Sequence, residues 1–304
     1  MKILFAGTPD VALPTLELVA QQHDVVGVIT RPDAPIGRKR TITPSPVAVA
    51  AEALNVEILK TSRFDAATSA FIRNSGAELG VVVAYGALIP QSDLALLPHG
   101  WINLHFSHLP QWRGAAPLQR DIMAGATHAN LSIFQLVAEL DAGDVFDAVA
   151  TPFSDRETAG EALVRLARIG AERVAHVVDQ IESGSAVATR QVGEVSYAHK
   201  LSADDGRLHP GMSSSEAFNT FRGVTPEPGA WIESRSGRVK ILEAEPNSAT
   251  SVTHGGISVD SQSVVIGFSD GGLSLITVQP AGKTAMTASD WARGLPNPTQ
   301  WTFS

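Results

Sequence analysis

Residues 101–119 read WINLHFSHLPQWRGAAPLQ and gather an amide (Asn103), two imidazoles (His105, His108), an indole (Trp112) and a guanidinium (Arg113) in one short stretch. Three readings compete for such a set: a metal site, a catalytic site and a polar loop. If Trp101–His105 is a β-strand, alternate side chains share a face, so Asn103 and His105 project together while Ile102 and Leu104 project the other way. An amide NH2 and an imidazolium can both donate hydrogen bonds to one oxygen, which suits stabilisation of a tetrahedral oxyanion during acyl transfer. A carboxylate is then needed to orient the imidazole or raise its pKa. Asp141, in the downstream loop ELDAGD (139–144), is the best-placed candidate. The metal reading is the weaker one. A strand that runs into a Pro-containing loop does not hold His105 and His108 as a helical pair, and neither a Cys nor an HExxH pattern supplies further ligands. No metal is expected.

The elements that must position these residues follow from the apolar pattern. KILFAG (2–7), DVVGVIT (24–30), LGVVVAY (79–85) and WINLH (101–105) read as strands bounded by turn residues, with helical patterns such as VALPTLELVAQQ and PVAVAAEALN between them. Strand and helix alternation with near-continuous apolar strands predicts an α/β fold with a doubly wound, mostly parallel sheet. Such sheets bind ligands beyond the carboxyl ends of their strands, which is where Asn103 and His105 fall. NLSIFQLV (130–137) and VFDAVATPF (145–153) extend the sheet, and residues 157–183 carry apolar positions at three- and four-residue spacing, one amphipathic helix. FAGTPD (5–10) lacks the glycine spacing of GxGxxG, so a dinucleotide site is not supported. Beyond residue 185 small and polar residues predominate and read as a linker. From about residue 206 a helical piece precedes several short strands separated by Gly-rich turns, which suggests a small β-barrel and a final helix capped by Thr287 or Ser289.

Composition sets outer bounds. The chain has 304 residues, 44% of them hydrophobic, enough for about two domains with a sizeable core. There is no Cys, so thiolate chemistry and Cys-ligated zinc are excluded, and a cytoplasmic setting fits best. The apolar run after Lys2 is cut by Gly7, Thr8, Pro9 and Asp10, short of a signal-peptide core or membrane span. A formal charge of -8 gives no bulk attraction to nucleic acid, so such a partner needs a local basic patch.

The stretch NLHFSHLPQWRGAAPLQ followed by ELDAGD resembles the active-site signature of the 10-formyltetrahydrofolate-dependent formyltransferases, and its WRGAAPLQ form is most similar to the branch that formylates the methionine carried by initiator tRNA. The likeness runs along nearly the whole chain, through FAGTPD, RPDAPIGRKRTITPSPV (31–47), VVVAYGALIP (81–90), YAHKL (197–201), TPEPGAW (225–231) and QPAGKTAM (279–286). It implies a Rossmann-like formyltransferase domain over 1–186, a linker over 187–205 and an OB-like, tRNA-binding β-barrel over 206–304. The family's catalytic trio falls on Asn103, His105 and Asp141. Folate contacts fall on Tyr85, Gly86, Ala87, Leu88 and Ile89, largely through backbone groups, and on Ser107, Leu109 and Pro110. The basic run Arg38, Lys39 and Arg40 falls where this branch carries an insertion that contacts the acceptor stem, and three adjacent cations form a local phosphate-binding patch. The implied co-substrate is 10-formyltetrahydrofolate, the implied partner initiator methionyl-tRNA, and the implied state a monomer away from membranes. Phe106 and His108 stand where the family often has Gly and Leu, and TPEPGAW replaces a more usual NPxPGAW. The rivals are a formyltransferase for an amino sugar or glycinamide ribotide, a formyltetrahydrofolate hydrolase and, in another class, a non-catalytic RNA- or nucleotide-binding module. The intact trio speaks against the last.

Overall fold

The computed structural model describes residues 1–304 apart from 38, 235–236, 248–251, 261–262, 296 and 298–300. Two compact units are present: Met1–Pro117 with Asn130–Thr151 and Leu163–Ala198, and Leu118–Ala129 with Pro152–Ala162 and His199–Ser304. Through residue 198 the chain runs β1 (Lys2–Gly7), α1 (Leu13–Gln22), β2 (Asp24–Thr30), β3 (Ala34–Ile36), β4 (Thr41–Thr43), α2 (Pro46–Ala53), β5 (Ile58–Lys60), α3 (Ala66–Asn74), β6 (Leu79–Val83), α4 (Gln91–Leu94), β7 (Trp101–His105), β8 (Arg113–Gly114), α5 (Pro117–Met123), β9 (His128–Gln135), β10 (Val145–Pro152), α6 (Ala159–Glu182) and β11 (Tyr197–Ala198).

The main sheet of the first unit has the order β10-β9-β7-β6-β1-β2-β5. Its central pairings are parallel, and β9 joins β7 antiparallel. In β6 every residue is buried, and in β1 all but Lys2, as expected of parallel strands covered on both faces. The helices that cover them start where local chemistry dictates. Ser45 caps α2 by accepting from Ala48 N, with Pro46 at the first helical position. Asp65 caps α3 by accepting from Ala67 N and Thr68 N, and these bonds hold its carboxyl below the usual range. On α6 close approach is bought with small residues: a Cβ at Gly170 would lie 2.5 Å from Cδ2 of Leu104.

From β1 the chain builds β2 and β5 on one side, then returns to place β6 on the other. The strand order therefore reverses between β1 and β6, and the crevice beyond their carboxyl ends is the place where doubly wound sheets take ligands. Here Thr8 Oγ1, just past β1, donates to the Tyr85 carbonyl, just past β6, at 2.9 Å.

The second unit contains α7 (Ser214–Val224), β12 (Ala230–Ser234), β13 (Gly237–Asn247), β14 (Ile257–Val259), β15 (Val264–Gly267), β16 (Gly272–Pro280), β17 (Met286–Thr287) and α8 (Ala288–Arg293). Ser213 and Glu216 form a reciprocal capping box on α7, and Thr287 caps α8. The sheet order is β12-β13-β16-β15-β14, with β17 on β16, all antiparallel. Its two edges are joined by residues 302–303, which bridge Ser234 on one side and Gly256 on the other. Ser304 N donates to Glu233 O and Phe303 N to Gly255 O, each at 2.9 Å. The sheet is thereby closed into the expected barrel around Phe218, Ile232, Ile241, Leu273 and Leu275. Trp291 and Trp301 meet edge to face inside it at 5.3 Å. Among the described residues no helix is long and apolar enough to cross a membrane.

Candidate active site

Strand β7 delivers its alternate side chains as the sequence pattern predicts. Leu104 packs against α6 at Gly170, and Asn103 and His105 occupy the alternate positions, paired across the ladder with Phe134 and Ser132 of β9. His105 is buried, with its ring edge-on to Phe134 at 6.1 Å. Its Nε2–H donates to the Trp112 carbonyl at 2.9 Å, which fixes the tautomer and leaves Nδ1 3.9 Å from Oδ2 of Asp141. Burial pushes the imidazole below its ordinary pKa, against the opposing pull of the Asp141 charge and the Trp112 carbonyl. That shift favours the uncharged ring, with Nδ1 open beside a carboxylate that would stabilise a proton arriving there.

Asn103 supplies the site's unmatched polar group. Its Oδ1 is buried and meets no hydrogen-bond partner. Leaving such an atom unsatisfied costs about 1–3 kcal/mol, and the cost is recovered when a ligand fills the gap. A half-turn of the amide presents either its oxygen or its NH2 to that ligand. As placed, this Oδ1 can accept from a ligand N–H, and with the amide turned over its NH2 can donate to a ligand oxygen.

Asp141 lies on the turn between β9 and β10, in the left-handed region at φ 47°. Its carboxylate Oδ2 accepts from Gly114 N at 2.7 Å. Two glycines make this meeting possible. Gly114 has φ 122°, and a Cβ there would sit 2.8 Å from the Ala198 carbonyl. At Gly143 a Cβ would sit 1.8 Å from the Gln135 carbonyl, so no side chain can occupy that crossing. Arg113 is buried, with Nη1 on Glu139 Oε1 at 2.8 Å and Nη2 on Gln191 Oε1 at 2.8 Å. The structure thus brings buried His105 and Asp141 together, with half-buried Asn103 two residues before His105 on the same strand.

The loop leaving β7 is internally knotted. Ser132 Oγ donates to the Ser107 carbonyl at 2.7 Å, and Ser107 Oγ donates to the Gln111 carbonyl at 2.6 Å. Ser107 is wholly buried, Leu109 and Pro110 are buried across a cis peptide, and His108 is exposed. His105 and His108 therefore differ sharply in environment, which does not suit a shared metal.

The loop leaving β6 is of another kind. Tyr85 turns its ring into the core, with its hydroxyl donating to the Thr61 carbonyl at 2.8 Å, so only its main chain is available to a ligand. Gly86 has φ 86°, and its carbonyl accepts from Arg31 at 3.2 Å. Ala87 and Ile89 pack partly against the same core, and Leu88 is 75% exposed. The N–H groups of Gly86, Ala87, Leu88 and Ile89 meet no protein acceptor among the described residues. Four unspent donors beside an exposed Leu can read the polar edge of a flat heterocycle while covering its face.

Of the basic run, Lys39 and Arg40 are exposed on the turn joining β3 to β4, with Arg40 N donating to the Gly37 carbonyl at 3.1 Å. Arg38 lies outside the described residues. In the second unit a cavity of about 540 Å³, lined by Arg156, Phe221, Pro226, Leu242 and Ile276 among others, contains none of the predicted site residues.

Sequence reasoning overlooked three contributors: the Trp112 carbonyl, Gln191 and the strand pairing of β11 with β8. The last two lie in residues read as linker. In the structure Thr189 bridges Val145, Ser196 O accepts from Arg113 N, and Tyr197–Ala198 pairs with Arg113–Gly114. The signal available beforehand was the fragment YAHKL, whose partner strand its own sequence does not disclose.

Comparison with known proteins places the chain in a class. The formyl transferase family model matches residues 1–178 and the formyl transferase C-terminal domain model matches residues 200–296, so the chain belongs to the formyl transferase family. Within that family it is similar to the methionyl-tRNA formyltransferase of Leifsonia xyli subsp. xyli, 46% identical over 97% of each chain. The methionyl-tRNA formyltransferase of Paenarthrobacter aurescens is 45% identical over 100% of each. Among solved structures, an N-formyltransferase from Helicobacter canadensis in complex with folinic acid and dTDP-3-aminofucose superposes with a TM-score of 0.69 at 14% identity, covering 90% of this chain and 98% of that one. At that identity the likeness is one of fold.

Proposed function

We propose that the protein transfers the formyl group of 10-formyltetrahydrofolate to the α-amino group of methionine on initiator tRNA. The observation that carries the chemistry is the orphaned Asn103 amide beside a buried His105 that faces Asp141. The folate supplies an activated formyl carbon, and the attacking nucleophile is the substrate amine, so no nucleophile on the protein is required. The new C–N bond forms at the methionyl nitrogen, the bond from the formyl carbon to N10 breaks, and N10 takes up a proton as the amine loses one. The Asn103 amide donates to the developing oxyanion. His105, with Nε2 held by the Trp112 carbonyl, accepts the amine's proton at Nδ1, and the Asp141 carboxylate stabilises the resulting imidazolium. Oxyanion donation by His105 itself requires its bond to Trp112 to open.

The loop over Tyr85–Ile89 takes the folate through its main-chain N–H groups, with Leu88 as a lid. Ser107, Leu109 and Pro110 form the buried wall behind it. Lys39 and Arg40, with Arg38, contact phosphate of the acceptor stem. The catalytic work belongs to residues 1–186 and tRNA contact extends to the barrel of residues 206–304, joined through 187–205. The protein acts as a monomer in the cytoplasm. Identity of about 45% to methionyl-tRNA formyltransferases over the full chain favours this substrate over an amino sugar or glycinamide ribotide.

The direct test offers 10-formyltetrahydrofolate with methionyl-tRNA, an amino-sugar nucleotide and glycinamide ribotide in parallel. Formyl transfer to methionyl-tRNA alone is expected. Preferential formylation of either small molecule, or release of free formate without transfer, overturns the assignment.

A further inference from the structure

Between α6 and β11 lies a polar side chain whose hydrogen-bonding capacity is spent entirely on the two loops that carry the candidate chemistry. Gln191 is half-buried between exposed Arg190 and Val192. Its Nε2 donates to the carbonyls of Asp141 and Gly143, each at 2.8 Å. Its Oε1 accepts from Nε and Nη2 of Arg113 at 3.3 and 2.8 Å. A primary amide has two N–H donors and two acceptor lone pairs, so all four are used and none remains for a ligand.

The partners are what give this saturation meaning. Asp141 has a left-handed backbone, and the carbonyls of Asp141 and Gly143 on either side of the Ala142 peptide are pinned to one nitrogen. Arg113 directly precedes Gly114, whose N–H holds the Asp141 carboxylate at 2.7 Å. Gln191 therefore grips the turn carrying the carboxylate and also the arm carrying that carboxylate's donor. Glu139, bonded to Nη1 of Arg113, closes the network from the far side. A side chain 50 residues along the chain from Asp141 and 78 from Arg113 has no local reason to meet both.

We propose that Gln191 is a positioning residue for formyl transfer, holding the Asp141 carboxylate at its working distance from His105 by clamping the Asp141–Gly143 turn to the Arg113–Gly114 arm. The proposal rests on the reading that His105 and Asp141 perform the chemistry. It differs from a plain structural brace in one respect: its effect passes through Asp141 alone.

The test uses the full chain in steady-state formylation of methionyl-tRNA with two variants. Gln191→Met keeps the length and removes all four bonds. Gln191→Glu keeps the acceptor for Arg113 but turns a carboxylate oxygen towards two carbonyls, and serves if the Met variant folds poorly. Misplacement of a catalytic group by about 1 Å costs on the order of 100-fold, and loss of an outer partner roughly 10- to 100-fold. We expect kcat to fall by about 10- to 100-fold with KM for both substrates within about 2-fold. In an Asp141→Asn background, Gln191→Met should cost less than about 2-fold more, because residues acting as a unit are non-additive. An equal loss in both backgrounds, a rise in KM with kcat unchanged, or wild-type kcat overturns the clamp. Full turnover by Asp141→Asn overturns the catalytic reading and the clamp with it, whereas a crippled Asp141→Asn beside fully active Gln191 variants overturns the clamp alone.

Discussion

The loop from Phe106 to Gly114 and the hairpin from Ala34 to Thr43 both follow the carboxyl ends of parallel strands in one sheet, yet they are built on opposite rules. In the first, the polar groups of Ser107, Trp112, Arg113 and Gly114 are tied inward, with the His108 side chain left exposed. Ser107, Ser132, Trp112, Arg113 and Gly114 exchange bonds that fix where His105 and Asp141 stand. In the second, β3 is wholly exposed and the strands pair only with each other, leaving Ile36 57% and Ile42 65% exposed around the basic turn. Proton transfer tolerates errors well below 1 Å, so its groups must be over-determined. Attraction of phosphate by cations works over a Debye length of roughly 8 Å, so its groups need availability rather than a fixed position.

The largest effect that could break this contrast is at the chemistry. His105→Ala should lower kcat by about 10²- to 10⁴-fold, the span of a lost general acid or base, while folate affinity measured by equilibrium titration stays within about 2-fold. Near-wild-type turnover would place the chemistry elsewhere.

Paired glycine substitutions sharpen the contrast next. Gly114→Ala forces a Cβ against the Ala198 carbonyl at a φ that side chains avoid, so the clash adds to the backbone penalty and the loss should exceed that at Gly37 by at least about 1 kcal/mol, together with most activity. Gly37→Ala meets no atom within 4 Å at φ 71° and should cost only the left-handed penalty of about 1–2 kcal/mol, with folate turnover unchanged. Equal losses of unfolding free energy in denaturant titrations would remove the distinction between a locked loop and an open one.

A smaller effect is expected at the basic turn. Lys39→Ala should weaken methionyl-tRNA binding about 2- to 5-fold and reduce the slope of log affinity against log salt by about 1, with KM for folate untouched. A salt slope identical to wild type would mean that Lys39 meets no phosphate.

The smallest effect is a titration. The His105 ring resonance should shift with a midpoint below about 6.5, because burial outweighs the opposing charge of Asp141. Asp141→Asn removes the influence that raises it and should lower the midpoint further. A rise on that substitution would reverse the assigned electrostatics.

Much of this architecture is legible in the order of residues alone, and the boundary of legibility is physical. Strands β1 and β6 announce themselves because burial on both faces demands unbroken apolar runs, and β7 because period-two alternation sorts Asn103 and His105 from Leu104. The long helix α6 shows in its spacing, although half-buried Leu163 and Ile169 yield part of the contact face to Ala162, Gly170 and Ala171. What stays hidden is partnership at a distance. Gln191 sits in a polar stretch that reads as linker, because its four bonds go to residues far along the chain. Thr302 and Phe303 close a barrel through two isolated bridges, too few residues to show any period. The protonated nitrogen of His105 depends on a main-chain carbonyl, a group common to every residue.

The closure by residues 302–303 has a consequence for handling the protein. Arg207 and Leu208 already meet Trp231 of β12, but Glu233 and Ser234 at its end, and Gly255 and Gly256 just ahead of β14, are paired by that short segment; without it their N–H and C=O groups turn to solvent. A protease nick just ahead of Trp301 would therefore create two adhesive borders and loosen the Trp291–Trp301 contact at once. The visible symptom would be self-association and loss of soluble material, long before any change at His105.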